Sequence, residues 1–123
     1  MAYNKLEVNM LSVDALREFG ADVDTALARC LNKEDFYLKL VKMGISDERY
    51  EKLGTALEED NLDEAFEICH ALKGVIGNLA LEPLYKVLSE MTELLRSRTK
   101  TDYTPLYNQI KEMHKKLVDL ASE

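Results

Sequence analysis

The helical spacing of apolar residues in the segment 61–80 constrains the fold more than any other feature of the chain. At about 100° per residue, six apolar residues fall on one arc of a helix: Leu62, Ala65, Cys69, Leu72, Ile76 and Leu79. Asn61 can cap the start of this helix, and Asp63 and Glu64 in the first turn complement its dipole. The pattern predicts one long helix, roughly 28 Å at about 1.5 Å per residue, with its apolar face in a core.

Start and stop signals predict short helices before this segment. Ser12 can cap a helix that ends at Gly20, and residues 22–31 form a second helical stretch. Asn32 is predicted to cap a third helix over 33–43, which Gly44 ends. Three apolar residues of this third helix share one face: Phe36, Leu40 and Met43.

Further signals predict three more helices around and after the central one. Ser46 starts a helix that runs to about Asp60, and Pro83 suits the first turn of a helix over roughly 82–98. Pro105 opens the last helix, which runs to about Ala121. No run with a period of two residues predicts a strand.

These elements predict an all-α fold, an antiparallel up-and-down four-helix bundle with additional short N-terminal helices. The connections are short, so neighbouring helices should pack antiparallel. A chain of 123 residues fits one domain. We expect a single domain over 1–123, with an N-terminal arm and short helices in 1–31 and the bundle over about 32–122.

Composition and charge exclude several classes of function. The net charge of −7 argues against a general binder of nucleic acid or of anionic membranes. Cys30 and Cys69 are too few and too far apart to indicate a disulfide framework or a zinc knuckle. The first seven residues carry charges where a signal peptide has an apolar core, and no later run approaches the length of a membrane span. We therefore expect a cytoplasmic location.

His70 is the candidate functional residue, because two glycines follow it on its own helical face. Gly74 and Gly77 each cost roughly 1 kcal/mol of helix stability relative to alanine. Two such residues on the face of one histidine indicate that the chain gives up helix stability to keep the space beside the imidazole free of side chains. A neutral imidazole can accept a phosphoryl group on its free nitrogen lone pair, and Lys73, one turn away, could offset the new charge. The sequence contains no glycine-rich nucleotide loop and no Asp pair for magnesium, so a partner must supply the remaining machinery.

The run His-Ala-Leu-Lys-Gly-Val-Ile-Gly-Asn-Leu that starts at His70, followed by Glu82-Pro83-Leu84, resembles the histidine-containing phosphotransfer (HPt) domain of multistep two-component phosphorelays. The resemblance extends by helix layout from about residue 30 to the C-terminus, although its specific part is about a dozen residues. Val75 and Ile76 are bulkier than the family's usual residues, and Ala80 stands where members often have glycine.

The resemblance implies a role for each residue of the motif. His70 would be the phosphoacceptor, Lys73 the residue that neutralises the phosphate, and Gly74 and Gly77 the clearance for docking. The implied partners are response-regulator receiver domains and a hybrid histidine kinase, with no nucleic acid or membrane, and the chain is expected to be a monomer. It would be a stoichiometric phosphoryl carrier without a nucleotide site, metal or cofactor of its own, since magnesium is expected on the receiver.

Two other readings of the motif remain open. Glu67-x-x-His70 has the spacing found in di-iron carboxylate bundles, but such sites need a second copy and inward-pointing ligands. A helical adaptor could also dock a receiver or kinase without carrying phosphate. We interpret Cys69 as an inert buried thiol and His114, which has no glycine near it, as structural.

Overall fold

Helices account for all regular secondary structure in residues 11–122, the part of the chain that the computed structural model describes. The predicted N-terminal arm lies outside this part over residues 1–10. The described residues form seven helices: α1 (Val13–Phe19), α2 (Val23–Arg29), α3 (Glu34–Ile45), α4 (Arg49–Glu58), α5 (Leu62–Asn78), α6 (Glu82–Arg96) and α7 (Thr104–Ala121). The prediction of an all-α fold is confirmed.

The bundle consists of α4 to α7, each packed against the next helix along the chain. Helix α5 lies between α4 and α6, and its contact with α6 is the most extensive among the described helices. Helix α3 packs against α7. The largest fully buried side chains are Leu16, Tyr37, Leu53, Leu72, Ile76, Leu81, Leu84, Leu88, Met91, Leu95, Ile110 and Leu117. Across the described residues, no helix is long and apolar enough to cross a membrane.

The central helix α5 follows its predicted pattern closely. The Asn61 side chain accepts a hydrogen bond of 3.1 Å from the backbone N–H of Glu64, which caps the first turn. The helix ends at Asn78, two residues before the predicted end at Ala80. Ala80 has a φ of 58°, in the left-handed region that favours glycine. This conformation explains why glycine would suit the position.

For helix α3, both the predicted buried face and the predicted C-terminal end are wrong. Phe36 and Met43, predicted to face the core, are 49% and 62% exposed. The buried face is one residue further along: Tyr37, Val41, Gly44 and Ile45. Gly44 does not end the helix. It lies within the last turn of the helix and packs against Leu79, since a Cβ there would lie 2.7 Å from Leu79 Cδ1.

Several other predicted boundaries shift by a few residues. Helix α3 starts at Glu34 after an N-cap at Lys33 that makes no side-chain bond, so Asn32 is not the cap. Ser46 closes α3, where its hydroxyl donates to the Lys42 carbonyl. Helix α4 starts at Arg49, three residues after the predicted Ser46, and ends at Glu58. Helix α6 ends at Arg96 rather than at residue 98.

The N-terminal helices α1 and α2 form a hairpin that packs where α5 turns into α6. Gly20 ends α1 with a φ of 114°, and a Cβ there would lie 2.7 Å from Pro83 Cγ. The backbone N–H of Asp22 donates a 2.9 Å hydrogen bond to the Ala80 carbonyl. These contacts place the start of α2 beside the turn between α5 and α6.

We expect Tyr37→Phe to lower the free energy of unfolding by about 1–3 kcal/mol. The Tyr37 hydroxyl donates a buried 2.8 Å hydrogen bond to the Leu79 carbonyl, just after α5, and the variant leaves that carbonyl without its partner. Urea denaturation measures the loss. Tyr85→Phe is the matched control, because the Tyr85 hydroxyl makes no hydrogen bond within residues 11–122, and an equal loss in both variants would contradict the assignment.

Candidate functional site

His70 lies on the exposed side of α5, opposite the packed face of the helix. The side chains of Ala65, Cys69, Leu72 and Ile76 are fully buried, whereas His70 is exposed. The imidazole stacks against the Phe66 ring one turn earlier, with centroids 5.5 Å apart and planes 6° from parallel. The stack restrains the imidazole orientation while the side chain stays exposed to a partner.

Two arginines approach Phe66 and make the surroundings of His70 more basic. The guanidinium carbons of Arg96 and Arg98 lie 5.2 Å and 5.0 Å from the Phe66 ring centroid, within cation–π range. Arg96 also pairs with Glu93, and Arg98 pairs with Asp63. Their charges are therefore partly balanced on the surface.

The space next to His70 is open above Gly74. A Cβ at Gly74 would have no heavy atom within 4 Å outside its own stretch of helix. Lys73, half-buried, precedes this glycine and makes no ion pair with a carboxylate in the described chain. A partner surface can thus approach the backbone of α5 one turn after the imidazole, next to an uncompensated ammonium group.

Gly77 has a structural use that the sequence did not reveal. A Cβ at Gly77 would lie 2.8 Å from Cε1 and 3.1 Å from Cδ1 of Tyr85 on α6. The second glycine therefore accommodates an aromatic ring of the protein itself. Its predicted role in partner docking remains a prediction.

These residues line a surface cleft of about 410 Å³, which we call the His70 cleft. Its lining comes from three helices and consists of Arg29, His70, Lys73, Gly74, Gly77, Asn78, Glu82 and Tyr85. The motif residues predicted from the sequence come together here. Four lining residues were not predicted as site residues: Arg29, Asn78, Glu82 and Tyr85. For Arg29 and Tyr85, nothing in the local spacing indicates that α2 and α6 border the cleft.

Cys69, adjacent to His70 in sequence, faces the core. Burial raises the pKa of its thiol to about 11, and the Thr92 hydroxyl donates a 3.2 Å hydrogen bond to its sulfur. The thiol is therefore protonated at neutral pH and shielded from the cleft. The interpretation of Cys69 as a buried thiol is confirmed.

His114 is a structural residue, as predicted. Its Nε2 donates to the Ile45 carbonyl over 2.7 Å, and its ring stacks on Tyr50 with centroids 3.9 Å apart. These contacts join α7 to the end of α3 and to α4. The hydrogen bond and the ring stack thus give His114 a role in packing.

The geometry gives the di-iron reading no support. Glu67 and His70 are both exposed on α5, whereas the ligands of such a site point into the bundle. Within residues 11–122, no group of three or more His, Cys, Asp or Glu side chains is placed to hold a metal ion.

The site thus combines an exposed histidine with a lysine and an open glycine on the central helix of an α-helical bundle. The family model of the Hpt domain matches residues 45–120, more than half of the chain. The chain belongs to the HPt domain family. No curated protein and no solved structure gives a significant match.

Membership gives the chain a phosphotransfer role in two-component signalling. Hpt domains carry phosphoryl groups rather than act as catalytic enzymes, and they interact with receiver domains and kinases in phosphorelays.

The two glycines should respond differently to substitution by alanine. We expect Gly74→Ala to raise the free energy of unfolding by up to about 1 kcal/mol, because helix propensity improves in open space. We expect Gly77→Ala to gain less or to lose stability, because the Tyr85 ring must shift. Urea denaturation of both variants, repeated in a Tyr85→Leu background, measures the coupling. Equal gains for both glycines when Tyr85 is unchanged would contradict the contact between Gly77 and the Tyr85 ring.

Proposed function

We propose that the chain is a phosphorelay intermediate that accepts and donates a phosphoryl group on His70. The group comes from, and returns to, the aspartate of response-regulator receiver domains, and a hybrid histidine kinase can supply it. The observation that carries the proposal is the exposed imidazole of His70 beside Lys73 and the open backbone of Gly74. We place this activity in the cytoplasm, with the chain acting as a monomer.

The transfer step follows from the chemistry of a neutral imidazole. The unprotonated ring nitrogen of His70 attacks the phosphorus of the receiver's aspartyl phosphate, so a P–N bond forms while the acyl P–O bond breaks. The aspartate leaves as a carboxylate, and the other ring nitrogen keeps its proton. The reverse step passes the phosphoryl group to a second receiver. Magnesium on the receiver would neutralise charge there, and this chain would need no cofactor of its own.

Lys73 and the Phe66 stack support the same step in different ways. Lys73 lies one turn from His70, where its ammonium group can interact with the phosphoryl oxygens of the phosphorylated state. Phe66 restrains the plane of the imidazole, which reduces the orientational freedom lost when the phosphorus approaches. The open surface over Gly74 lets the receiver's aspartyl phosphate reach the ring.

The second candidate is an adaptor that docks a receiver or kinase without carrying phosphate. The surface around the His70 cleft would serve docking equally well. The exposed, unblocked imidazole favours the carrier, because docking alone gives no reason for a free ring nitrogen at that position. Phosphate incorporation separates the two functions.

We expect His70→Gln to abolish phosphate incorporation from a panel of phosphorylated receiver domains of the source organism. The helical circular dichroism and the melting behaviour should be unchanged, because the side chain is exposed. Wild-type label should be acid-labile and alkali-stable, as expected for phosphohistidine. Retained labelling in the variant would place the phosphorylation site elsewhere.

His114→Gln is the matched control, since it removes the chain's other histidine. This variant should keep the label but lose stability, because the stack on Tyr50 is lost. Failure of the wild-type chain to take up phosphate from every receiver, combined with stable binding to one of them, would favour the adaptor.

We expect Lys73→Ala to slow transfer or shorten the lifetime of the phosphorylated form several-fold. Phosphohistidine brings close to two negative charges by analogy with other phosphorylated side chains, and a half-exposed ammonium group offsets them by about 1 kcal/mol. Rapid-quench transfer and decay measurements test this, with Lys116→Ala on α7 as the control. A loss as complete as that of His70→Gln would show that Lys73 is essential to the chemistry.

A further inference from the structure

The His70 cleft contains a second basic side chain, which comes from a helix outside the family match. Arg29 is the last residue of α2, and the match begins at residue 45. Its Nη1 donates hydrogen bonds to the carbonyls of Gly77 and Asn78, over 3.2 Å and 3.0 Å. The N-terminal hairpin thus brings a guanidinium group to the rim of the cleft.

The position of Arg29 has a clear physical cause. The last carbonyls of α5 lack an α-helical N–H partner and form the negative end of its dipole. The Gly77 carbonyl also accepts from the backbone N–H of Ala80, over 3.1 Å, and a carbonyl oxygen can accept a second hydrogen bond. A guanidinium group has five N–H donors, and those on Nε and Nη2 of Arg29 make no hydrogen bond to residues 11–122. The side chain is exposed and forms no ion pair with a carboxylate in that part of the chain. Arg29 is therefore held in place with donors to spare.

Arg29 contacts α5 too close to its C-terminal end to interact with a phosphoryl group on His70. Gly77 follows His70 by seven residues, about 10.5 Å along the helix axis at about 1.5 Å per residue. Side chains on a helix lean towards its N-terminus, so the His70 ring points away from Gly77. Lys73 is placed for the phosphate, whereas Arg29 is placed for the body of a docked protein.

We propose that Arg29 is a partner-recognition residue that pairs with a carboxylate on the surface of the docked receiver domain. This inference rests on the proposed function of His70. The chain as a whole carries a net charge of −7, so an acidic surface is repelled over most of it. Within the His70 cleft the two cations Lys73 and Arg29 outnumber the single carboxylate, Glu82. A bidentate Arg–carboxylate pair at this rim fixes the register in which the receiver docks.

Transfer kinetics test this role with two variants and a control. The probe is the phosphorylated receiver domain that transfers fastest to the wild-type chain in the panel. We compare Arg29→Glu and Arg29→Gln with Lys116→Glu, which makes the same change in net charge on α7, outside the cleft. The readouts are the half-saturating receiver concentration and the saturating rate, at low and high salt, together with the lifetime of the isolated phosphohistidine.

We expect Arg29→Glu to raise the half-saturating concentration about tenfold at low salt and less at high salt, where the pairing is screened. The saturating rate and the phosphohistidine lifetime should stay at wild-type values. Arg29→Gln keeps a donor for the α5 carbonyls, so it should raise the half-saturating concentration less. Comparison of the two variants separates the effect of the lost charge from the effect of a displaced α1–α2 hairpin. Lys116→Glu should change none of these quantities.

The outcomes distinguish this proposal from the proposed function. Wild-type kinetics in both Arg29 variants would overturn the recognition role and leave the role of His70 intact. A shortened phosphohistidine lifetime or a reduced saturating rate would assign Arg29 to the chemistry and also overturn it. A rise that does not depend on salt would show that only the hairpin packing was disturbed. Absence of transfer from every receiver domain to the wild-type chain would overturn both proposals.

Discussion

Burial of one face of α5 fixes the direction in which His70 points. Cys69, Leu72 and Ile76 are fully buried between the neighbouring helices, and each large aliphatic side chain contributes about 1.5–3 kcal/mol by leaving water. Rotating α5 enough to bury His70 would expose these residues, at a cost of several kcal/mol. The exposure of the imidazole is therefore a consequence of core packing, and it needs no contact made by His70 itself.

The same packing separates two neighbouring nucleophiles into different environments. Cys69 and His70 are adjacent, yet successive residues of a helix differ by about 100° in direction. The thiol enters the core, where burial raises its pKa and Thr92 donates a hydrogen bond to its sulfur. The imidazole enters solvent. One helix register thus decides which of the two groups can react with a second protein.

The sequence was sufficient to predict structure where the pattern lies within one helix and marks one face. It was insufficient where a residue is positioned by contacts with a distant part of the chain. The apolar arc of α5, its Asn61 cap and the motif at His70 are all readable within one helix. Helix α3 offered two apolar faces one residue apart. Distant contacts, among them those with the Leu79 side chain and the Leu79 carbonyl, place Gly44 and Tyr37 inward. Arg29 and Tyr85 reach the cleft through the packing of α2 and α6, for which no local spacing exists.

The α1–α2 hairpin shows how a segment outside the matched family region can alter the site without altering the fold. Its attachment uses the turn between α5 and α6: Pro83 packs on Gly20, and the Ala80 carbonyl accepts from Asp22. That turn directly follows the helix that carries His70, and the last residue of α2, Arg29, reaches the same cleft through its hydrogen bonds to the Gly77 and Asn78 carbonyls. The bundle thereby fixes the position of His70, the proposed phosphoacceptor, while the hairpin sets the charge at the rim of the cleft, where we propose that the receiver domain docks.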